Sequence, residues 1–478
     1  MNESTDNLSR KILKALGIFG GMQGILILCS LVRVKLIALF IGSEGVGLFS
    51  IFNNTIDLYR ELTQLNIQQS AIRDVARNNN STYLSTIAHI VTRWSWILGV
   101  AGAFLLLISS PFLSRYCFGK PDYTIAFASL SVVIFMQAIQ TGYLIIMQGT
   151  ENLSKLVKTQ LWSAVVSVTL CAPLYFYLGI DSVIPSLIIH VIVSLIASYI
   201  FRVHVPKASP VPTTREVLSK GKTFIRLGIY LTISSFAGLL ADFIFKSWLN
   251  VTASTMIVGL YTAGFTIVNR YVGMVFTAIS MEYYPRLSRI IHSPEDVKFH
   301  VSHEITIALL VLTPLILFFI PMSEFIVRIL YSDEFMTIVP FIAVAVIGTL
   351  YRAVSWCFAF VILAKGDGKI YVVTEILSGV LFLILNIYTY TRYGLEGMGY
   401  AYTLWYLLYF VSTGLVYFKR FRFKLSSESF KLLALGTALG AVSLLTVTYL
   451  HWGAGIVLAL IVSVPYIRRL LKMIKKKS

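Results

Sequence analysis

The stretch LVKTQLWSAVVSVTLCAPLYFYLGIDSVIPSLIIHVIVSLIASYIF, residues 156–201, decides the fold. It contains two apolar runs, 156–178 and 183–201, separated only by Gly179-Ile180-Asp181-Ser182. A helix needs about 20 mostly apolar residues to cross the roughly 30 Å hydrocarbon layer, and both runs meet that length. Two such runs joined by so short a turn predict a helical hairpin through a bilayer, where every backbone group must be satisfied within its own helix. Outward from this hairpin the same criterion marks 16–40, 46–68, 84–108 and 123–147 before it. After it come 223–248, 256–282, 301–321, 336–363, 370–390, 396–418, 430–449 and the shorter 453–467. The expectation is an all-α polytopic membrane protein with about fourteen transmembrane helices, a two-lobed core of twelve followed by two at the C-terminus. A membrane β-barrel would need alternating strands of roughly 10 residues, and the sequence has no such pattern.

Composition agrees. The 478 residues are 57% hydrophobic and 13% charged, with a mean hydropathy of +0.78; an ordinary soluble domain carries roughly 25% charged residues. The net charge of +18 would suggest nucleic acid in a soluble chain. Here it follows topology, because Lys and Arg concentrate on the cytoplasmic side of membrane proteins. With the N-terminus inside, only Arg115, Lys120, Arg328 and Arg392 of the forty Lys and Arg fall in outside loops, while Arg33, Lys35, Arg93, Lys246, Arg270 and Arg352 lie within apolar runs. Basic segments at both 419–431 and 468–477 demand an even number of crossings between them, which favours fourteen spans and places both termini in the cytoplasm. Lys35 and Arg93, near span ends, read as interfacial anchors. Cys29, Cys117, Cys171 and Cys357 are far apart with no metal-ligand spacing, so disulfide and zinc readings both fail. The polar N-terminus has no small-residue cleavage site after its first apolar run and reads as mature sequence.

The chain divides into 1–201 (helices one to six), a Pro-rich basic linker at 202–222, 223–418 (helices seven to twelve) and 419–478, a basic segment with the last two helices. Val46-Gly47-Leu48-Phe49 and Val258-Gly259-Leu260-Tyr261 open corresponding spans in the two halves. The turns Leu178-Gly179-Ile180-Asp181 and Tyr393-Gly394-Leu395-Glu396 match at nearly the same offset. Two parallel six-helix repeats follow, an organisation that places transporter sites between halves. No loop is long enough for an enzyme domain.

Polar side chains are costly in lipid, so their angular position is informative. In the second span Asn53, Asp57, Arg60, Glu61, Gln64 and Gln68 share one helical face. The eighth span presents Thr262, Thr266, Asn269 and Arg270 in the same way, and the seventh places Asp242 and Lys246 at i, i+4, within reach of an ion pair. These faces predict a water-filled central cavity of net positive charge. Its candidate ligand-binding residues are Arg33, Arg60, Lys246, Arg270, Arg352, Asn53, Gln64 and Asn269. Embedded Asp57, Asp242 and Glu375 are candidates for ion coupling. Arginine holds phosphate oxygens in bidentate fashion, so such a cavity suits an anionic, phosphate-bearing ligand.

The Gly-rich first span (Gly17, Gly20, Gly21, Gly24), Val46-Gly47-Leu48-Phe49, Gln148-Gly149 through Lys155, Lys365-Gly366-Asp367-Gly368-Lys369 and Gly394-Leu395-Glu396-Gly397-Met398-Gly399 stand in an order and spacing that resembles the Wzx-type O-antigen and polysaccharide flippases. These belong to the multidrug/oligosaccharidyl-lipid/polysaccharide (MOP) exporter superfamily, and the resemblance covers residues 1 to about 420. It implies two six-helix lobes opening alternately to each side of the bacterial inner membrane. They would move undecaprenyl-diphosphate-linked oligosaccharide from the cytoplasmic to the periplasmic leaflet without covalent chemistry or a cofactor. Partners would be that lipid-linked sugar, the bilayer, a polysaccharide polymerase and a chain-length regulator, with no nucleic acid; nothing demands more than a monomer. Proton coupling, sodium coupling and passive exchange all stay open. The rival readings are a lipid II flippase, a multidrug exporter, whose cavity would be expected to be acidic, and an O-antigen polymerase or ligase, which would need a long periplasmic loop.

Overall fold

The computed structural model describes residues 22, 24–64, 67–76, 81–206, 210–272, 283, 287 and 290–475. Regular structure among them is helical throughout. In chain order the helices are α1 (24–40), α2 (Gly42–Gln64), α3 (Ile67–Ala76), α4 (Ser81–Phe118), α5 (Thr124–Gly149), α6 (Leu153–Leu178), α7 (Val183–Ile200), α8 (Thr214–Thr252), α9 (Thr255–Thr266, continued by a π turn Ile267–Val272), α10 (Pro294–Leu330), α11 (Val339–Ala364), α12 (Gly368–Lys419), α13 (Ser427–Tyr449) and α14 (Trp452–Lys475).

Eight helical segments among the described residues are long and apolar enough to cross a membrane, and two of these, Leu153–Ile200 and Gly368–Lys419, are too long for one crossing. Each folds back at a glycine. Gly179 adopts φ 54°, ψ −129° and Gly394 adopts φ 59°, ψ −145°, conformations that side-chain-bearing residues scarcely enter. The register of each hairpin is fixed by its cross-links. In the first, Lys155 Nζ donates to the Arg202 carbonyl (3.2 Å), Ser167 meets His190 (3.0 Å), and the Cys171 thiol lies 3.7 Å from the Ser186 carbonyl. In the second, Trp405 Nε1 donates to Ser378 (2.9 Å), Tyr409 donates to Glu375, and Phe382 packs on Trp405 with ring centroids 4.9 Å apart. The two turns share one positive-φ glycine conformation at the two positions matched in the sequence. Gly394→Val is expected to cost about 1–3 kcal/mol from backbone strain alone, seen as a lowered thermal unfolding midpoint of the detergent-solubilised protein; an unchanged midpoint would remove the conformational argument.

The chain forms two compact units, Met1–Val258 and Gly259–Ser478. In the first, α8 packs against α2, α3 and α4, although by sequence it opens the second repeat. The reason lies in its side chains: Asn250 Nδ2 donates to the Cys117 carbonyl (2.8 Å), Ser247 meets the Cys117 thiol (3.3 Å), and Lys220 pairs with Asp74 (2.9 Å). α8 also begins at Thr214, well before the expected span at 223. Thr213 and Glu216 form a reciprocal capping box, with Thr213 N–H donating to Glu216 Oε2 (2.7 Å) and Glu216 N–H donating to Thr213 Oγ1 (3.3 Å). The linker is shortened accordingly. The second unit centres on α11, whose Phe341, Leu350, Val354 and Phe358 are fully enclosed between α10 and α12.

Candidate functional site

A pocket of about 600 Å³ opens within the first unit, bounded by residues of α1 to α7. This volume lies in the range of small-molecule sites, but the lining is unusual for a membrane interior. Five amides line it: Gln64 from α2, Gln68 from α3, Gln137 and Gln140 from α5, and Gln160 from α6. His190 and Ser194 from α7 complete the wall, and Arg60 and Glu61 are also part of it. Close approach of α4 and α5 frames one side; a Cβ at Gly142 would stand 2.5 Å from Ser95 Oγ and 3.1 Å from Ser95 Cβ, so a larger residue there would force Ser95 to shift. Trp94 is buried and donates its indole N–H to the Val217 carbonyl (2.6 Å), which leaves ring carbon as its contribution to the pocket.

Two amide atoms in this wall are buried without a hydrogen-bond partner among the described residues, the Gln64 Nε2 donor and the Gln137 Oε1 acceptor. Buried polar atoms are nearly always bonded to protein or water, so this pair leaves polar hydrogen-bonding capacity in the wall. The Thr141 hydroxyl donates to the Gln137 backbone carbonyl (2.9 Å) and lies 3.4 Å from Gln64 Oε1. Arg60 is ion-paired with Asp57 (2.9 Å), and Asp57 also accepts from Asn53 Nδ2 (3.0 Å).

His190 is oriented from behind. Arg33 Nη2 donates to His190 Nδ1 (2.8 Å) and to Ser167 Oγ (2.7 Å). A guanidinium has donors only, so Nδ1 is the acceptor and the ring proton sits on Nε2. His190 is thereby a neutral donor. His190→Gln, which keeps a side-chain N–H donor, is expected to retain more export than His190→Asp; equal loss in both would remove the donor role.

The other residues predicted from sequence are engaged within their own units. Lys246, itself buried, pairs with Asp242 (2.7 Å), which also accepts from Asn54 Nδ2 (2.8 Å). Asp242, expected as a coupling carboxylate, therefore carries a built-in counter-ion. In the second unit Arg352 donates to the carbonyl of Asn269 inside the π turn (2.9 Å) and to Tyr402 Oη (3.4 Å), and lies 5.5 Å from the Tyr406 ring centroid. Glu375 accepts from Tyr409. Of Arg270 only the backbone is described; its side chain lies outside the described residues.

The structure thus gathers Arg60 and Gln64 into one pocket and ties Arg33, Lys246 and Arg352 to protein partners. The wall residues that sequence reading missed are Gln137, Gln140, Gln160 and His190. Their signal was present: Gln137, Gln140 and Thr141, Gln160 and Ser163, and His190 and Ser194 each recur at helical spacing in otherwise apolar runs. A search aimed at charge passes over neutral amides.

Comparison with known proteins places this geometry. The polysaccharide biosynthesis protein family matches residues 36–340. A putative O-antigen transporter of Shigella flexneri is 21% identical over 378 residues, which is 76% of this chain and 87% of that protein. Among solved structures, the lipid II flippase MurJ in an inward closed conformation aligns with a TM-score of 0.65 at 14% identity, covering 95% of this chain and 99% of that one. An inward-facing multidrug resistance MATE transporter of the MOP superfamily aligns with 0.63 at 15% identity, covering 83% and 94%. The fold is that of the MOP transporters, and the chain belongs to the polysaccharide biosynthesis protein family, as a Wzx-like member.

Proposed function

We propose that the protein translocates undecaprenyl-diphosphate-linked oligosaccharide, an O-antigen or capsule repeat unit, from the cytoplasmic to the periplasmic leaflet of the bacterial inner membrane by alternating access. The observation that carries this reading is the amide-lined pocket in a membrane-spanning unit. An amide offers a donor and an acceptor side by side, the complement of neighbouring sugar hydroxyls, and the Trp94 ring supplies a flat apolar surface for the C–H face of a pyranose. The family match and the Shigella relative support the same reading. Arg60 takes the diphosphate: its pairing with Asp57 is partly exposed, so phosphate oxygens can compete for the guanidinium in bidentate geometry. Sugar enters the pocket while the lipid tail stays in the bilayer. Both termini are cytoplasmic, as the distribution of Lys and Arg requires. Nothing in this cycle breaks a covalent bond.

Deleting the gene tests the proposal. The expected result is loss of surface polysaccharide with the complete lipid-linked repeat unit accumulating on the inner leaflet. Repeat units reaching the periplasm unpolymerised would point to a polymerase, and accumulation of lipid II with lysis would replace the substrate named here.

A further inference from the structure

The second unit carries a different opening, where α12 ends and α13 begins. It is a groove of about 820 Å³ whose walls include Val411, Leu415 and Phe418 of α12 and Phe430 of α13, with Arg422 and Lys424 from the connecting segment. Val411, Leu415 and Phe418 stand at i, i+4 and i+7, one exposed stripe. From Val411 to Phe418 the helix rises about 10 Å at 1.5 Å per residue, most of the depth of one leaflet of a roughly 30 Å core. The connecting segment is held against this stripe. Phe423 is buried, packs on Tyr417 (5.2 Å between centroids), lies 5.7 Å from Lys365 Nζ, and donates its backbone N–H to the Tyr417 carbonyl (3.2 Å).

Two observations concern the basic pair. Arg422 sits at φ 57°, in the left-handed region that a side-chain-bearing residue enters only at a cost; among the described residues only Glu151 shares this feature. Arg422 and Lys424 are both exposed, and both line the groove. Neither has an acidic partner among the described residues. The ion pairs nearby in sequence are made by Arg420 with Asp367 and by Arg469 with Glu428. The strained backbone thus holds two uncompensated cations at one end of an apolar groove, in the loop that charge bias assigns to the cytoplasmic surface.

We propose that this groove binds one anionic glycerophospholipid, its acyl chain along Val411 to Phe418 and its phosphate between Arg422 and Lys424. Basic pockets between helices at the cytoplasmic surface recognise such headgroups, and each basic residue there adds about fivefold in affinity. The groove's length matches a chain of leaflet depth, which a glycerophospholipid carries, whereas a polyprenyl tail is far longer. A zwitterionic lipid presents the same phosphate with its charge cancelled and gains less from the two cations.

The test is lipid retention by the full-length protein, delipidated in neutral detergent and titrated with dioleoyl phosphatidylglycerol or dioleoyl phosphatidylcholine under native mass spectrometry. The expected result is one phosphatidylglycerol held roughly thirtyfold more tightly than phosphatidylcholine. Arg422→Gln with Lys424→Gln should bring the two lipids level. Arg422→Gly with Lys424→Gln, which keeps the backbone conformation that Arg422 strains to adopt, should do the same and guards against a folding defect. Leu415→Trp should fill the groove and displace the bound lipid. Equal retention of both lipids by the unaltered protein, or unchanged preference in the double variants, overturns the proposal. Displacement by undecaprenyl phosphate at equal concentration would overturn it too, assigning the groove to the transported lipid; displacement by glycerol phosphate alone would show that the apolar groove is not required.

Discussion

Lys246→Met lowers the stability of the protein by about 3–5 kcal/mol, the usual cost of removing one partner from a buried ion pair. The Asp242 carboxylate keeps only the Asn54 amide and loses the charge that neutralises it. The measurement is thermal unfolding in detergent, together with the amount of protein reaching the membrane. Adding Asp242→Asn in the same chain removes the stranded charge and keeps a polar partner for Asn54, so stability should return. The double variant also separates two roles for Lys246. If the lysine acts through Asp242, surface-polysaccharide export returns with stability. Recovery of the fold without export would make Lys246 a ligand of the diphosphate, as its place among the embedded cations first suggests.

Gln137→Leu combined with Gln140→Leu should have the opposite signature. Both amides lie on α5 and face the pocket, and leucine is close to glutamine in size, so the membrane-inserted fold should persist. Each lost hydrogen bond to a sugar hydroxyl is worth about 0.5–1.5 kcal/mol. The pair therefore costs roughly tenfold to a hundredfold in transport, read as export rate at matched protein level. Normal export by the double variant would remove the pocket from the sugar path.

Fold and site differ in how much of each the chain order discloses. The crossings were legible because they depend only on length and apolarity, and the hairpins at Gly179 and Gly394 because a turn glycine interrupts two long apolar runs at matching offsets. The start of α8 was displaced because a capping box at Thr213 and Glu216 outweighs the apolar criterion: the first turns of that helix are polar and still helical. At the site, Arg60 and Gln64 were readable as one helical face. That Arg33 would meet Ser167 and His190, or that Asn54 would reach Asp242, was not, because such pairings depend on the depth and rotation of helices distant in sequence. Charge draws attention along the sequence, yet in the folded chain several of the charged groups are engaged with one another and neutral side chains, five amides among them, form most of the pocket's polar wall.

The hydrogen bond from Asn54 to Asp242 also bears on how the chain is made. α2 is not among the helices apolar enough to qualify as a crossing by composition, and both α2 and α8 carry polar groups that lipid would penalise. During synthesis α2 leaves the ribosome long before α8, so Asn54 has no acceptor from that helix while α4 to α7 are being made. The bond between Asn54 and Asp242 can therefore form only once α8 has been made. Until then α2 depends on its earlier neighbours, among them α4, through the contact of Tyr59 with Ser109. Quality-control proteases would meet the nascent protein in that interval.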